Sequence, residues 1–200
     1  SVKAEGKLLN QYDDGGFLAF RLGPKVRIAI DGRTPTLFDD ELFFLIREAS
    51  RNPHAFQVFD GRYRPNMVLT KPSRPQCRFL NASSKWRPVF VGAKRTLFFR
   101  DEFRTDILSL SALDPCAAQL SIRPECAKGN AKGIERDLGQ MLSYVPNATY
   151  PLVLLSELTG ACYGDVRRAV DAAQKAVSQG TQRPFAWMSY ARALAGTGDI

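Results

Sequence analysis

Histidine is almost absent. His54 is the only one in 200 residues, and it stands in Asn52-Pro53-His54, a loop-like context with no evident partner, so it reads as a solvated polar residue rather than a general base. The chain has no Gly-x-Ser-x-Gly elbow, no phosphate-binding P-loop and no Gly-x-Gly-x-x-Gly. Gly6-Lys7 lacks both the preceding glycine loop and the following hydroxyl residue of a nucleotide site. Histidine and cysteine clusters at metal-ligand spacing are missing too. Serine hydrolases and dinucleotide-dependent oxidoreductases are thereby disfavoured, and no cofactor and no metal is expected. No run approaches the roughly 20 apolar residues that span a bilayer. The longest, at 42–46 and 152–155, are core-sized. No signal peptide is visible, and the chain begins with Ser1 rather than Met, so it is expected to be a piece of a longer protein.

Positive charge is plentiful but lies on one side of the sequence. Residues 1–104 carry 19 Lys/Arg against 11 Asp/Glu, a net of +8, whereas 105–200 carry 9 of each. A basic half beside a neutral half points to an anionic neighbour for the first only, such as lipid headgroups, a phosphorylated lipid carrier or nucleic acid. Four cysteines are present. Cys116 and Cys126, nine residues apart, leave two readings open: a small disulfide loop, or two reduced, buried thiols. Cys77 and Cys162 read as solitary core cysteines, with a bridge between them as the alternative.

Short apolar runs alternate with helical patterns in the first half. Strands are expected at 7–10, 26–30 and 66–70, and a hairpin joins 89–92 to 96–100 across Ala93-Lys94-Arg95. Helices are expected at 37–50, with Asp39 or Asp40 as cap, and at 76–83. A short helix over 16–22 is expected to follow a turn at Asp13-Asp14-Gly15-Gly16. This order predicts an α/β fold, a Rossmann-like three-layer domain with an antiparallel edge hairpin, over residues 1–104.

A linker is expected over 105–130, which a Cys116–Cys126 bridge would close into a small loop in one of the two readings, and helices from 131 to 200. Two Gly-Asp pairs, Gly164-Asp165 and Gly198-Asp199, are 34 residues apart, the tetratricopeptide period. Helices are expected at 134–142, 152–162, 166–178 and 184–195. The third carries an alanine ladder, Ala169, Ala172, Ala173 and Ala176, and Pro184 opens the fourth. An all-α, tetratricopeptide-like repeat of this kind usually holds or presents a partner.

Acids, glycines and an arginine at predicted loop ends form the candidate ligand-binding set. Asp13, Asp14, Gly15 and Gly16 precede a helix, where backbone N–H groups converge. Asp31, Gly32 and Arg33 follow a strand, where α/β sheets bind ligands. An exposed Asp and Arg there can bind hydroxyls and anions. The bland reading is local: Gly32 permits the turn while Asp31 and Arg33 pair nearby. Asp60-Gly61-Arg62 repeats the triplet in a loop-like setting. Paired-carboxylate hydrolysis by Asp13, Asp14 and Asp31 is disfavoured, because adjacent acids seldom face one substrate atom.

Asn10-Gln11-Tyr12-Asp13-Asp14-Gly15-Gly16-Phe17-Leu18, followed by Lys25-Val26-Arg27-Ile28-Ala29-Ile30-Asp31-Gly32-Arg33, resembles the soluble C-terminal region of bacterial multi-spanning membrane proteins similar to GT-C glycosyltransferases. Trp86-Arg87-Pro88-Val89-Phe90 and Thr96-Leu97-Phe98-Phe99-Arg100 match that region's closing hairpin. Tyr12-Asp13-Asp14-Gly15 is more distantly similar to the acceptor-reading WWDYG element of oligosaccharyltransferases, without its tryptophans and with an extra Asp. The resemblance implies an extracytoplasmic (periplasmic) domain, not catalytic alone, attached to the membrane portion of the same polypeptide. It would assist in positioning an acceptor or a lipid-linked sugar phosphate at anionic headgroups, with a protein partner on the repeats. An extracytoplasmic setting suits a Cys116–Cys126 bridge. The alternative is a soluble tetratricopeptide-type adaptor whose basic half binds nucleic acid, with aromatics interleaved among cations at Arg62-Tyr63-Arg64 and over 94–100.

Overall fold

A computed structural model describes residues 5–31, 39–179 and 183–197. Gly32, Arg33 and the second Gly-Asp pair lie outside the described residues. The fold is mixed α/β and divides into two units, residues 1–90 with 94–109, and 91–93 with 110–200. Among the described residues, no helix is long and apolar enough to cross a membrane.

The first unit begins with β1 (Gly6–Leu9), α1 (Tyr12–Leu22) and β2 (Val26–Ile28), continues through α2 (Asp40–Ala49), α3 (Pro53–Tyr63), β3 (Met67–Thr70) and α4 (Pro75–Asn81), and closes with β4 (Trp86–Val91) and β5 (Thr96–Arg100). The sheet runs β2-β1-β3-β5-β4. β1 is parallel to both β2 and β3, and β5 is antiparallel to β3, with Val68 opposite Phe98. Consecutive residues are buried in the parallel strands, Leu8 with Leu9 and Met67 with Val68. Strands covered on both faces show such unbroken apolar runs.

Helix ends follow local chemistry. Asp39 caps α2, its carboxylate accepting from Leu42 N–H at 2.7 Å. Asn52 caps α3, accepting from His54 N–H at 2.8 Å, and Pro53 takes the first helical position. That cap-and-proline pair corrects the expected loop: His54 and Asp60-Gly61-Arg62 belong to α3. The helix at 16–22 is corrected as well, because α1 begins at Tyr12 and contains the whole Asp13-Asp14-Gly15-Gly16 segment. Arg100 holds α3 to the sheet. It pairs with the part-buried Asp60, donates to Pro65 O at 3.0 Å and lies 4.8 Å over the Trp86 ring. Arg62 pairs with Glu41 of α2.

The second unit contains α5 (Ala118–Ala127), α6 (Ala131–Tyr144), α7 (Thr149–Tyr163), α8 (Val166–Gln179) and α9 (Pro184–Ala195). α5 occupies part of the stretch expected as linker. α7 is buried on almost every side, at Leu152, Val153, Leu154, Ser156, Leu158 and Thr159, because α5, α6, α8 and α9 all pack on it. Leu152, Val153, Ala176, Val177 and Ala186 share one cluster, and the ladder Ala169, Ala172, Ala173 and Ala176 is buried. The first Gly-Asp pair is helix punctuation. Gly164, at φ 63°, closes α7 in the left-handed conformation, and the Asp165 carboxylate caps α8 by accepting from Arg168 N–H at 3.0 Å. Asp137 on α6 is fully buried, and its Oδ2 accepts from the backbone N–H groups of Ser111, Ala112 and Leu113 at 2.6–3.0 Å.

The structure corrects the Cys116–Cys126 reading. Cys126 bonds Cys162, with their Cα atoms 5.5 Å apart. Cys116 and Cys126 lie at opposite ends of α5, whose rise from 118 to 126 is about 12 Å. A disulfide tolerates only about 4.4–6.8 Å between Cα atoms. No cysteine is free among the described residues.

Candidate functional site

Strand β1 lies between β2, its successor in the chain, and β3, reached through α2 and α3. The strand order therefore reverses direction at β1, and in open α/β sheets the crevice beyond the carboxyl ends at such a point is the usual ligand site. Two residues build its floor. Asn10, 1 % exposed, ties the end of β1 to the chain leaving β2. Its Nδ2 donates to Ile30 O at 2.7 Å, and its Oδ1 accepts from Ala29 N–H at 3.0 Å. Ala29 N–H also donates to Leu8 O at 2.9 Å, so the Asn10 amide continues the contact between the two strands just past the last ladder bond. Gly15 is the second: a Cβ there would lie 2.1 Å from Ile30 O and 2.4 Å from Asp31 Cα. The first turns of α1 can rest on this backbone only because residue 15 lacks a side chain.

The expected site residues separate into different roles. Asp14 forms a two-point ion pair with Arg95, Nε to Oδ2 at 2.6 Å and Nη2 to Oδ1 at 2.7 Å, with both side chains about one-fifth exposed. It fastens α1 to the turn before β5. Asp31 is buried at 2 % exposure rather than presented on a turn. Gly16 is exposed, and a Cβ there would meet nothing within 4 Å. Only Asp13 faces the crevice as an exposed acid, 3.5 Å from Lys71 Nζ.

The crevice itself is a cavity of about 220 Å³. Leu9, Asn10, Gln11, Tyr12 and Asp13 form one wall, Phe43, Ile46, Arg47 and Arg51 another, and Lys71, Arg74 and Gln76 the third. Four cations thus gather around one acid. Arg51 has Glu48 at 3.8 Å and Lys71 has Asp13, whereas Arg47 and Arg74 make no ion pair among the described residues. Gln11 contributes a donor, for its Nε2 is buried without a hydrogen-bond partner among the described residues. Such a group favours a ligand that accepts. The volume lies below the roughly 300–1,000 Å³ of sites for drug-sized molecules, so the cavity suits a headgroup.

This arrangement can hold an anion through Arg47, Lys71, Arg74 and Gln11, and a hydroxyl through Asp13. Asp13 and Asp14 have separate cationic partners and do not form a carboxylate pair. Among the described residues no three His, Cys, Asp or Glu side chains converge as metal ligands. Composition announced a basic half, but Arg47, Lys71 and Arg74 come from α2 and the β3–α4 connection, and no local motif marks them. Gln11 precedes the conspicuous Asp-Asp-Gly-Gly segment and looks unremarkable in sequence. No family model matches the chain, nor does any curated protein or solved structure.

Proposed function

We propose that this protein is the extracytoplasmic soluble part of a membrane glycosyltransferase-like protein, not catalytic alone, which positions the phosphate-bearing end of a lipid-linked sugar or its acceptor. The observation that carries this reading is the cation-lined crevice at the β1 reversal point. Three features support it: the net charge of +8 confined to residues 1–104, the absence of free cysteines, as in oxidising compartments, and the parallel β2-β1-β3 core with an antiparallel edge. That core fits a Rossmann-like three-layer arrangement.

The helical unit acts as the partner-binding part. α7 and α8 make an antiparallel pair and α9 packs on both, as the first helix of a following tetratricopeptide-like repeat does. Trp187 and Met188 on α9 are about half exposed and would accept a further helix. Nucleic-acid binding is the weaker reading, because its aromatics are engaged internally. Phe98 and Phe99 are buried, and Tyr63 stacks on Phe59 at 4.8 Å.

Titration of the whole chain with farnesyl phosphate, a short soluble polyprenyl phosphate, tests the reading. Saturable binding should weaken about 10–100-fold in Lys71→Met/Arg74→Ala, since each charged contact contributes about 1.5–3 kcal/mol before partial compensation. Equal binding by the variant, or none by the parent protein, contradicts it.

A further inference from the structure

α1 is apolar on the wrong side. Gly15 is buried, and Leu18, Ala19 and Leu22 are half-buried toward the sheet. At 100° per residue, Phe17 and Phe20 fall on the opposite side of the helix. They are 69 % and 84 % exposed, the two most exposed phenylalanines among the described residues. Arg21 adjoins them on α1, and Lys25 and Arg27 follow in the turn and on β2, all exposed. None of these three cations has an ion-pair partner among the described residues.

From this pairing of outward phenylalanines with unpaired cations we propose that the outer face of α1 seats the domain on an anionic bilayer. The phenylalanines enter the headgroup–acyl boundary, and Arg21, Lys25 and Arg27 meet lipid phosphates. Charge complementarity selects this occupant, because the entire net charge of the chain lies in the half that contains α1. Area points the same way. Two phenylalanines at these exposures offer roughly 300 Å² of apolar surface, well short of the about 800 Å² per partner of a stable protein interface. For a bilayer, a few inserted aromatics with flanking cations are sufficient. The inference does not depend on the crevice, since none of Phe17, Phe20, Arg21, Lys25 and Arg27 lines it.

The test is sedimentation of the whole chain with phosphatidylcholine vesicles, with and without about one-quarter phosphatidylglycerol. The anionic vesicles should retain the protein, the neutral ones should not, and added salt should weaken retention. Phe17→Ser/Phe20→Ser should lower partitioning about tenfold or more while leaving the unfolding midpoint unchanged. Arg21→Gln/Lys25→Gln should lower it on anionic vesicles alone. Undiminished retention of the phenylalanine variant, or no retention of the parent protein, overturns the proposal. So does concentration-dependent dimerisation that the phenylalanine variant abolishes, which would make the face a contact between two copies. Vesicles without sugar phosphate leave the crevice unprobed, so failure here and failure of farnesyl phosphate binding are separate results.

Discussion

A methyl group added at Gly15 would lie 2.1 Å from the Ile30 carbonyl oxygen, whereas one added at Gly16 would meet nothing within 4 Å. Gly15→Ala should therefore push α1 off the backbone that follows β2 and lower stability by about 2–4 kcal/mol. Gly16→Ala should be neutral or stabilising by up to about 1 kcal/mol, because alanine suits a helix better than glycine. Urea unfolding of the two variants separates them, and equal midpoints would contradict the close approach. The sequence marks this pair of glycines as special and cannot say which one matters, since the constraint comes from Ile30 and Asp31, fifteen residues further on. Asp14 is a similar case. It looks like a ligand-binding acid until Arg95, 81 residues away, takes both its carboxylate oxygens.

Elements were legible in sequence where their ends carry local chemistry. The Asp39 cap and the alanine ladder of α8 lie where the pattern places them. Three helices are hidden in the sequence because a breaker residue has a second use. Glycines stand inside the first turns of α1, Pro53 is the first residue of α3, and Pro124 lies within α5. Missing α5 also concealed the true partner of Cys126. Cys162→Ser should cost about 3–4 kcal/mol, the chain-entropy value for a loop closed over 36 residues. Non-reducing peptide mapping should recover Cys126 joined to Cys162, and a Cys116–Cys126 peptide would contradict this helix arrangement. Glu157 on α7 supplies a pH dependence. Burial raises its pKa above the ordinary 4.5, opposed by the Gln119 hydrogen bond and by Arg192 at 3.5 Å. The folded state then holds this proton more tightly than the unfolded chain does. Its contribution to stability is present below about 4.5 and falls as pH rises toward the raised value. Urea midpoints of Glu157→Gln should lose that part of the decline, and a variant whose pH profile parallels the parent's would contradict it.

For the whole molecule, the charge division was plain from composition, but the crevice was not. Its cations come from α2, the α2–α3 connection and the β3–α4 connection, brought together only because the strand order reverses at β1. Sequence spacing carries no trace of such a reversal until the sheet is built. The central claim is that these cations and the Gln11 amide receive a phosphate-bearing headgroup. The most direct measurement is an NMR titration of the whole chain with farnesyl phosphate that follows side-chain amide and guanidinium signals. The account predicts saturable shifts of the Gln11 side-chain amide together with Arg47 and Arg74, and none at Arg95, which Asp14 already holds. Shifts scattered over the exposed lysines and arginines, with Gln11 unmoved, would contradict it.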